Sequence, residues 1–230
     1  MSIIAMLWPY VFIALGFGIF VFVNGGIVVG DRSSHTMVIH ISQLLYFLLF
    51  ALIFGFPVLV TVDKIKRFIN FARNNCYKCV ASVLICSYVL YNYTYEHPYL
   101  LADNRHYVFY LWKKVLSKPF YRYLLCPAYV YSVWSMNDSL HAPATTPIHN
   151  LYKLIYVVCV AAMTVPQKLL EFRYFVLPYI FFRIHLKQQS SHTVILELLF
   201  YIFINALTIF IFTHKTFYWS DLSEPQRIIW

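Results

Sequence analysis

Two stretches of this chain, Ile3–Val23 and Thr193–Phe212, are long and apolar, the first without a charged residue and the second with only Glu197. About 20 such residues in helical form cross the hydrocarbon core of a bilayer. Only structures that pair their own backbone groups survive there. Both stretches are apolar on every side. Strands of a membrane β-barrel would instead alternate polar and apolar over about 10 residues, so helices are expected. Similar blocks occur at Val38–Val62, Cys76–Thr94, Phe120–Trp134 and Ile148–Val165. Phe172–Phe182 is shorter and contains Pro178, which leaves it open between a crossing and a broken or re-entrant helix. Only 12% of the residues are charged, against about 25% in a soluble chain. The polar surface for a soluble domain is missing. The expected fold is all-α: a polytopic transmembrane bundle of six or seven spans. It forms a single transmembrane domain over residues 1–230, with short loops and no internal repeat.

Ile3–Val23 lacks the basic flank and small-residue cleavage site of a signal peptide. It suits a signal anchor, and equally a chain cut from a longer one. Lys and Arg near span ends mark the cytosolic side. The densest basic loop, Asp63–Asn75, carries Lys64, Lys66, Arg67 and Arg73, and is expected in the cytosol. Counting spans then puts Asn24–Met37, Tyr95–Pro119 and Pro166–Glu171 on the luminal side. Arg183 and Lys187 fall in the cytosol and agree with the rule, whereas Lys113, Lys114 and Lys118 fall on the luminal side and do not. The net charge of +9 is spread over several loops, and no nucleic-acid module is visible, so no nucleic-acid partner is expected.

Cys76 and Cys79 form a lone CxxC, without the second ligand pair that a zinc site needs. The other cysteines, Cys86, Cys126 and Cys159, lie within apolar blocks and are expected as small packing residues. The nine histidines show no metal-ligand spacing, so no metal and no cofactor is expected. The sequons at Asn92 and Asn137 fall at a span end and in a cytosolic loop, and both are expected to stay unmodified.

Charged residues beside a bilayer are costly and commonly functional. Three polar clusters fall on the luminal side of this topology. The first, residues 24–35, ends in Asp31, Arg32 and His35. The second, residues 101–107, holds Asp103, Asn104, Arg105 and His106. The third, residues 166–175, holds Lys168, Glu171 and Arg173. A guanidinium grips phosphate in bidentate fashion, and Asp, Asn and His suit sugar hydroxyls. The competing reading is a set of local ion pairs and loop caps: Asp31–Arg32, Asp103–Arg105 and Glu171–Arg173. Three clusters on one face favour a shared anionic, polar ligand.

The segments NGGIVVGDRSSH (24–35), LLADNRHYVFYLWKK (100–114), VPQKLLEFRYFVLPY (165–179) and the ending QRIIW (226–230) closely resemble a family of endoplasmic-reticulum α-1,2-glucosyltransferases. That family adds the terminal third glucose to the dolichol-linked oligosaccharide. The motifs recur in family order across essentially the whole chain, which resembles only the C-terminal half of the family's GT-C-type membrane architecture. The resemblance implies a multi-pass protein of the endoplasmic-reticulum membrane. Its partners would be dolichyl-phosphate-glucose, the diglucosylated dolichol-linked oligosaccharide and the bilayer. The family's N-terminal half carries the acidic luminal loop thought to activate the acceptor. A chain lacking it is expected to be inactive alone, as a truncated gene model or an isoform.

A lipid-phosphate donor already sits in the bilayer, so no nucleotide-binding unit is needed, and no GxGxxG occurs. Transfer from a β-linked donor to an α product inverts the anomeric carbon. By analogy with inverting glycosidases it takes one displacement, with a carboxylate base on the acceptor hydroxyl. Cations stabilise the departing lipid phosphate. On this resemblance Arg32, Arg105, Lys168 and Arg173 are candidate phosphate contacts. Asp31, Asp103, Asn104, His106 and Glu171 are candidate sugar contacts or orienting groups, with the base left unassigned. A non-catalytic membrane partner is the alternative. A transporter, resting on Pro127, Pro166 and Pro178, is weaker, since only Glu197 and Lys153 approach mid-span positions.

Overall fold

The computed structural model describes residues 3–27, 29, 38–140, 147–187, 189–220 and 223–229. Two compact units are distinguished, residues 1–37 and 38–230.

The first unit is helix α1, Ile3–Asn24. It is apolar all round and long enough to cross a membrane. It stops at Gly25, whose φ of 70° is open to glycine at little cost. The next amide, Gly26 N, then reaches back to the Val21 carbonyl at 3.0 Å, which covers an otherwise orphaned acceptor at the helix end.

The second unit is built around α2, Ser42–Phe54, which packs against α5 (Cys76–Asn92), α9 (Cys126–Ser139), α10 (Pro147–Thr164) and α11 (Arg173–Ile184). Small residues allow the close approaches. Ala51 on α2 and Cys126 on α9 are fully buried, and Ser132 donates to the Leu48 carbonyl at 2.8 Å. Helices in lipid associate through this kind of fit and through inter-helix hydrogen bonds. Tyr46, Phe47 and Phe50 fill the space toward Tyr129, Phe175 and Tyr179. The last helix, α12 (Ser191–His214), is the second in the described residues long and apolar enough to cross a membrane. Its Leu198, Leu199, Ile202 and Phe203 are exposed.

The structure corrects the expected blocks in four places. Val38–Val62 is not one helix: α2 ends at Phe54, and a short α3, Phe56–Leu59, follows. Thirteen helical residues reach about 20 Å, short of a 30 Å core. The break sits at Gly55, where a Cβ would lie 2.7 Å from the Ala51 carbonyl oxygen. Val38, Ile39 and His40 fall outside the helix. The Leu59 carbonyl at the end of α3 is satisfied by Tyr131 Oη at 2.8 Å and Ser135 Oγ at 2.7 Å. Second, Phe120–Trp134 divides into α8 (Pro119–Leu124) and α9, with Pro127 near the new helix start, where its missing N–H costs little.

Third, the expected loop Asp63–Asn75 is mostly helix α4, Val62–Asn74, opened by Thr61 Oγ1 capping Lys64 N. Phe68 and Phe71 turn toward Trp134 on α9, with ring centroids 5.3 and 6.3 Å away. Fourth, the expected loop Tyr95–Pro119 contains α6 (Pro98–Ala102), α7 (Tyr107–Leu111) and a π-helical turn, Trp112–Leu116. After α12 the chain forms a small ribbon, β1 (Thr216–Phe217) antiparallel to β2 (Gln226–Arg227). Nothing in the apolar pattern announced that ribbon.

Candidate functional site

Asp31, Arg32 and His35 lie outside the described residues. The second and third clusters are described in full.

Asp103 ends α6, and Arg105 and His106 lead into α7. The Arg105 backbone N–H donates to Asp103 Oδ1 at 2.9 Å, while its Nε and Nη2 meet the carboxylate at 3.0 and 2.7 Å. His106 Nε2 lies 3.4 Å from Oδ2. The Arg105 guanidinium bonded to Asp103 holds that carboxyl below its ordinary range. Both carboxylate oxygens are therefore engaged locally. The C-terminal ribbon completes the loop. Trp219 Nε1 donates to Asn104 Oδ1 at 2.8 Å, and Ile229 N donates to the Arg105 carbonyl at 2.7 Å. Arg227 Nη1 donates to the Phe212 and Thr213 carbonyls at 2.9 and 2.8 Å, covering the open end of α12.

The third cluster is held by two residues from the start of the α2 region. His40 N donates to the Val165 carbonyl at 2.9 Å. Its ring lies with Nδ1 3.2 Å from the Gln167 carbonyl, and Nε2 accepts from Tyr95 N at 3.4 Å. That pattern assigns the neutral Nδ1–H tautomer. Gln43 Nε2 donates to the Gln167 and Leu169 carbonyls, both at 3.0 Å. Ser42 Oγ and Thr94 Oγ1 are 3.0 Å apart. One buried imidazole thus joins the 165–169 turn to the start of the 95–119 stretch. Burial lowers the His40 pKa to about 4, which keeps the ring neutral.

Within the third cluster Glu171 and Arg173 form an ion pair, and the Arg173 guanidinium lies 5.7 Å from the Tyr174 ring centroid. Lys168 is partly buried, and its ammonium has no hydrogen bond or ion pair among the described residues. Among the described residues the structure therefore brings together Asp103 with Arg105 and Glu171 with Arg173. Lys168, Glu171 and Arg173 make no hydrogen bond or ion pair to Asp103, Asn104 or Arg105 among the described residues. Sequence reasoning missed His40, Gln43 and Trp219. The first two carried a signal: polar residues one helical turn apart inside an apolar block.

A separate cluster lies where α4 meets the C-terminal end of α9. The Lys64 ammonium reaches Ser135 Oγ at 3.4 Å, hydrogen-bonds Ser139 and lies 4.0 Å from Asp138. Burial lowers its pKa to about 8. Arg67 grips Asp138 in bidentate fashion at 2.6 and 2.9 Å. Between α11 and α12, Arg183 pairs with the buried Glu197 at 2.8 and 2.5 Å, and Tyr201 Oη adds a bond to Glu197 at 3.1 Å. Among the described residues no three His, Cys, Asp or Glu side chains converge to hold a metal.

Apolar helices of crossing length, large apolar side chains exposed along them and inter-helix hydrogen bonds define a class: a predominantly helical protein compatible with a membrane helix bundle. Residues 1–184 match the model of the DIE2/ALG10 family. The chain belongs to the DIE2/ALG10 family. A rat relative is 44% identical over 97% of this chain and 46% of its own length. A human relative is 42% identical over 99% of this chain and 47% of its own length. A Drosophila melanogaster relative is 37% identical over 100% of this chain and 50% of its own length. All three are named Dol-P-Glc:Glc(2)Man(9)GlcNAc(2)-PP-Dol alpha-1,2-glucosyltransferase. The chain spans about half the length of these curated relatives. No solved structure matches it.

Proposed function

We propose that this chain is the C-terminal membrane half of an α-1,2-glucosyltransferase of the endoplasmic reticulum. The reaction moves glucose from dolichyl-phosphate-glucose to the diglucosylated dolichol-linked oligosaccharide, as in the names of the relatives that match 97–100% of the chain. The observation that carries this reading is the set of long-range ties gathering the polar loops. His40 joins residues 165–167 to Tyr95, and the C-terminal ribbon joins residues 104–106. These ties suit a topology in which 38–40, 95–119, 166–171 and 213–230 share the luminal side. Lys64 and Arg67, bonded to Ser139 and Asp138, suit the opposite side. An even number of crossings between Pro119 and Thr213 is then required, so Arg173–Ile184 counts as a crossing and the total is seven. Residues 1–230 form one membrane domain on this reading.

The roles follow from charge state. Asp103 and Glu171 are occupied by Arg105 and Arg173, and the Arg105 guanidinium makes Asp103 a weak base. They shape the luminal face and orient sugar hydroxyls with Asn104 and His106. Lys168 is the cation in these clusters best able to meet phosphate, with Arg105 and Arg173 contributing the donors their acids leave free. The acceptor's base comes from outside residues 1–230, and Asp31, Arg32 and His35 are proposed as further contacts to the same ligand. General acid–base catalysis is commonly worth about 10²–10⁴-fold. The chain alone should leave cells lacking the endogenous transferase with diglucosylated lipid-linked glycans. A chimera carrying this chain in place of the matching half of the rat relative should restore the triglucosylated species. Restoration by the chain alone removes the division of labour, and failure of a stable, correctly located chimera removes the glucosyltransferase reading. The closed pairs favour one second reading, a non-catalytic membrane partner, which the same chimera decides.

A further inference from the structure

We propose that Arg122 is a binding residue for the phosphate of a lipid-borne headgroup, at the end of the bundle where α8 begins. Four observations lead there. Arg122 stands in the apolar block Phe120–Trp134, where a lone ionisable side chain is by default functional and needs a partner. Its Nε donates to the Leu116 carbonyl at 2.5 Å, which fixes the side chain. Its two terminal nitrogens have no partner among the described residues. Arg122 forms no ion pair among the described residues, and from Asn104 to Asn137 the chain has not one Asp or Glu, against Arg105, Lys113, Lys114, Lys118 and Arg122.

The surroundings fit an oxyanion. Arg122 is partly buried, within electrostatic reach of the Tyr46 and Tyr129 hydroxyls. Tyr129 is fully buried and its hydroxyl has no hydrogen-bond partner, so a donor waits without an acceptor. Lys114 and Lys118 are exposed on the approach, beyond a π-helical turn at Trp112–Leu116, a feature frequent at functional sites. In the topology above these lysines lie on the luminal side, which the positive-inside rule leaves poor in cations. An anionic ligand on that side accounts for the excess. A planar guanidinium with two free nitrogens binds phosphate through paired hydrogen bonds. The lipid's identity rests on the glucosyltransferase reading, and the site does not.

The test uses the full 230-residue chain in phosphatidylcholine nanodiscs, with equilibrium binding of radiolabelled dolichyl phosphate. The expected result is saturable binding that dolichol, excess phosphatidylglycerol and inorganic phosphate fail to displace. Arg122→Gln should weaken it ten-fold or more, Arg122→Lys should fall between, and Arg73→Gln should leave it unchanged. Thermal unfolding of each variant accompanies the binding, and Lys118→Gln, outside the packed interior, provides a second variant expected to weaken binding several-fold. Equal displacement by phosphatidylglycerol would mean that Arg122 only reaches bulk headgroups. That result overturns the proposal, as does wild-type affinity in a folded Arg122→Gln, or no binding by the wild-type chain. Arg122-dependent binding beside an inactive chimera would leave this site standing and remove the transferase reading.

Discussion

The Arg105 guanidinium lies over the Trp219 ring, 4.9 Å from its centroid, while the indole N–H of the same residue donates to neighbouring Asn104. One tryptophan thus holds two adjacent residues of the loop, one by its face and one by its edge. Asp103 clamps the same guanidinium through its carboxylate. A guanidinium held this way keeps a fixed orientation and gives up part of its capacity for an external anion.

Trp219→Ala should loosen this loop without unfolding the bundle. A cation–π contact at a partly exposed site is worth about 0.5–1 kcal/mol and a neutral hydrogen bond about 1 kcal/mol. Hydrogen exchange at the amides of residues 103–107 and at Ile229 should quicken, roughly ten-fold. Amides in α9 should not change. Trp219→Phe should recover the ring contact alone and fall midway. Unchanged exchange in Trp219→Ala would mean that the ribbon does not order the loop.

His40 gives a pH dependence with a definite sign. Its ring titrates at about 4 in the fold, against 6.5 for an ordinary histidine. Between those values the unfolded chain binds more protons than the folded one, so stability falls as pH drops from 6.5 toward 4. The loss is on the order of 2–3 kcal/mol. Unfolding midpoints in detergent across pH 4–7 should follow it, and His40→Gln should flatten the curve within that window. A curve equally steep in both proteins would place the acid sensitivity elsewhere.

Gly55→Ala should destabilise the chain by about 1–3 kcal/mol, because the added methyl meets the Ala51 carbonyl at 2.7 Å. Its φ of −91° is open to alanine, so crowding and not backbone strain is the cause. Thermal unfolding reads the loss. Ala51→Gly in the same chain should give no rescue, since the obstructing atom belongs to the backbone.

Arg67 is not a free headgroup anchor, as a basic residue of a cytosolic loop would be. Its bidentate bond to Asp138 predicts a coupling of about 0.5–1 kcal/mol in an Arg67→Ala, Asp138→Ala double-mutant cycle. Arg73→Ala should be neutral. For mutational work on the polar clusters, Arg73 is therefore the sounder control. Zero coupling would reduce the pair to a surface coincidence.

Topology is open to direct labelling in a cysteine-free background. Asn70→Cys should react with a membrane-impermeant thiol reagent in sealed microsomes, and Tyr218→Cys only after permeabilisation. Labelling of both, or of neither, would break the parity that makes Arg173–Ile184 a crossing.

What the sequence disclosed depended on range. Ile3–Val23 and Thr193–Phe212 were legible because an apolar run of that length has few other uses. Asp103–Arg105 and Glu171–Arg173 were legible as pairs because partners two residues apart meet in almost any turn. The division of Val38–Val62 was signalled by Gly55 and Pro57 but outweighed by unbroken hydropathy. Helix α4 was hidden because its charges drew attention away from the spacing of Val62, Ile65, Phe68 and Ile69. His40, Gln43 and Trp219 act through partners far away in the chain. No local pattern encodes such pairings.

The parallel bridge between His106 and Ile229 links positions more than a hundred residues apart. A ribosome has made every helix of the chain before Ile229 exists. The Asn104 side chain waits for Trp219 and the Arg105 carbonyl for Ile229, so this loop is among the last parts to mature. A frameshift or stop codon after α12 would spare every apolar helix and still strike residues 103–106. In a genetic screen such late lesions should resemble substitutions in the loop itself, with the protein made at near-normal abundance but poorly ordered at that one place.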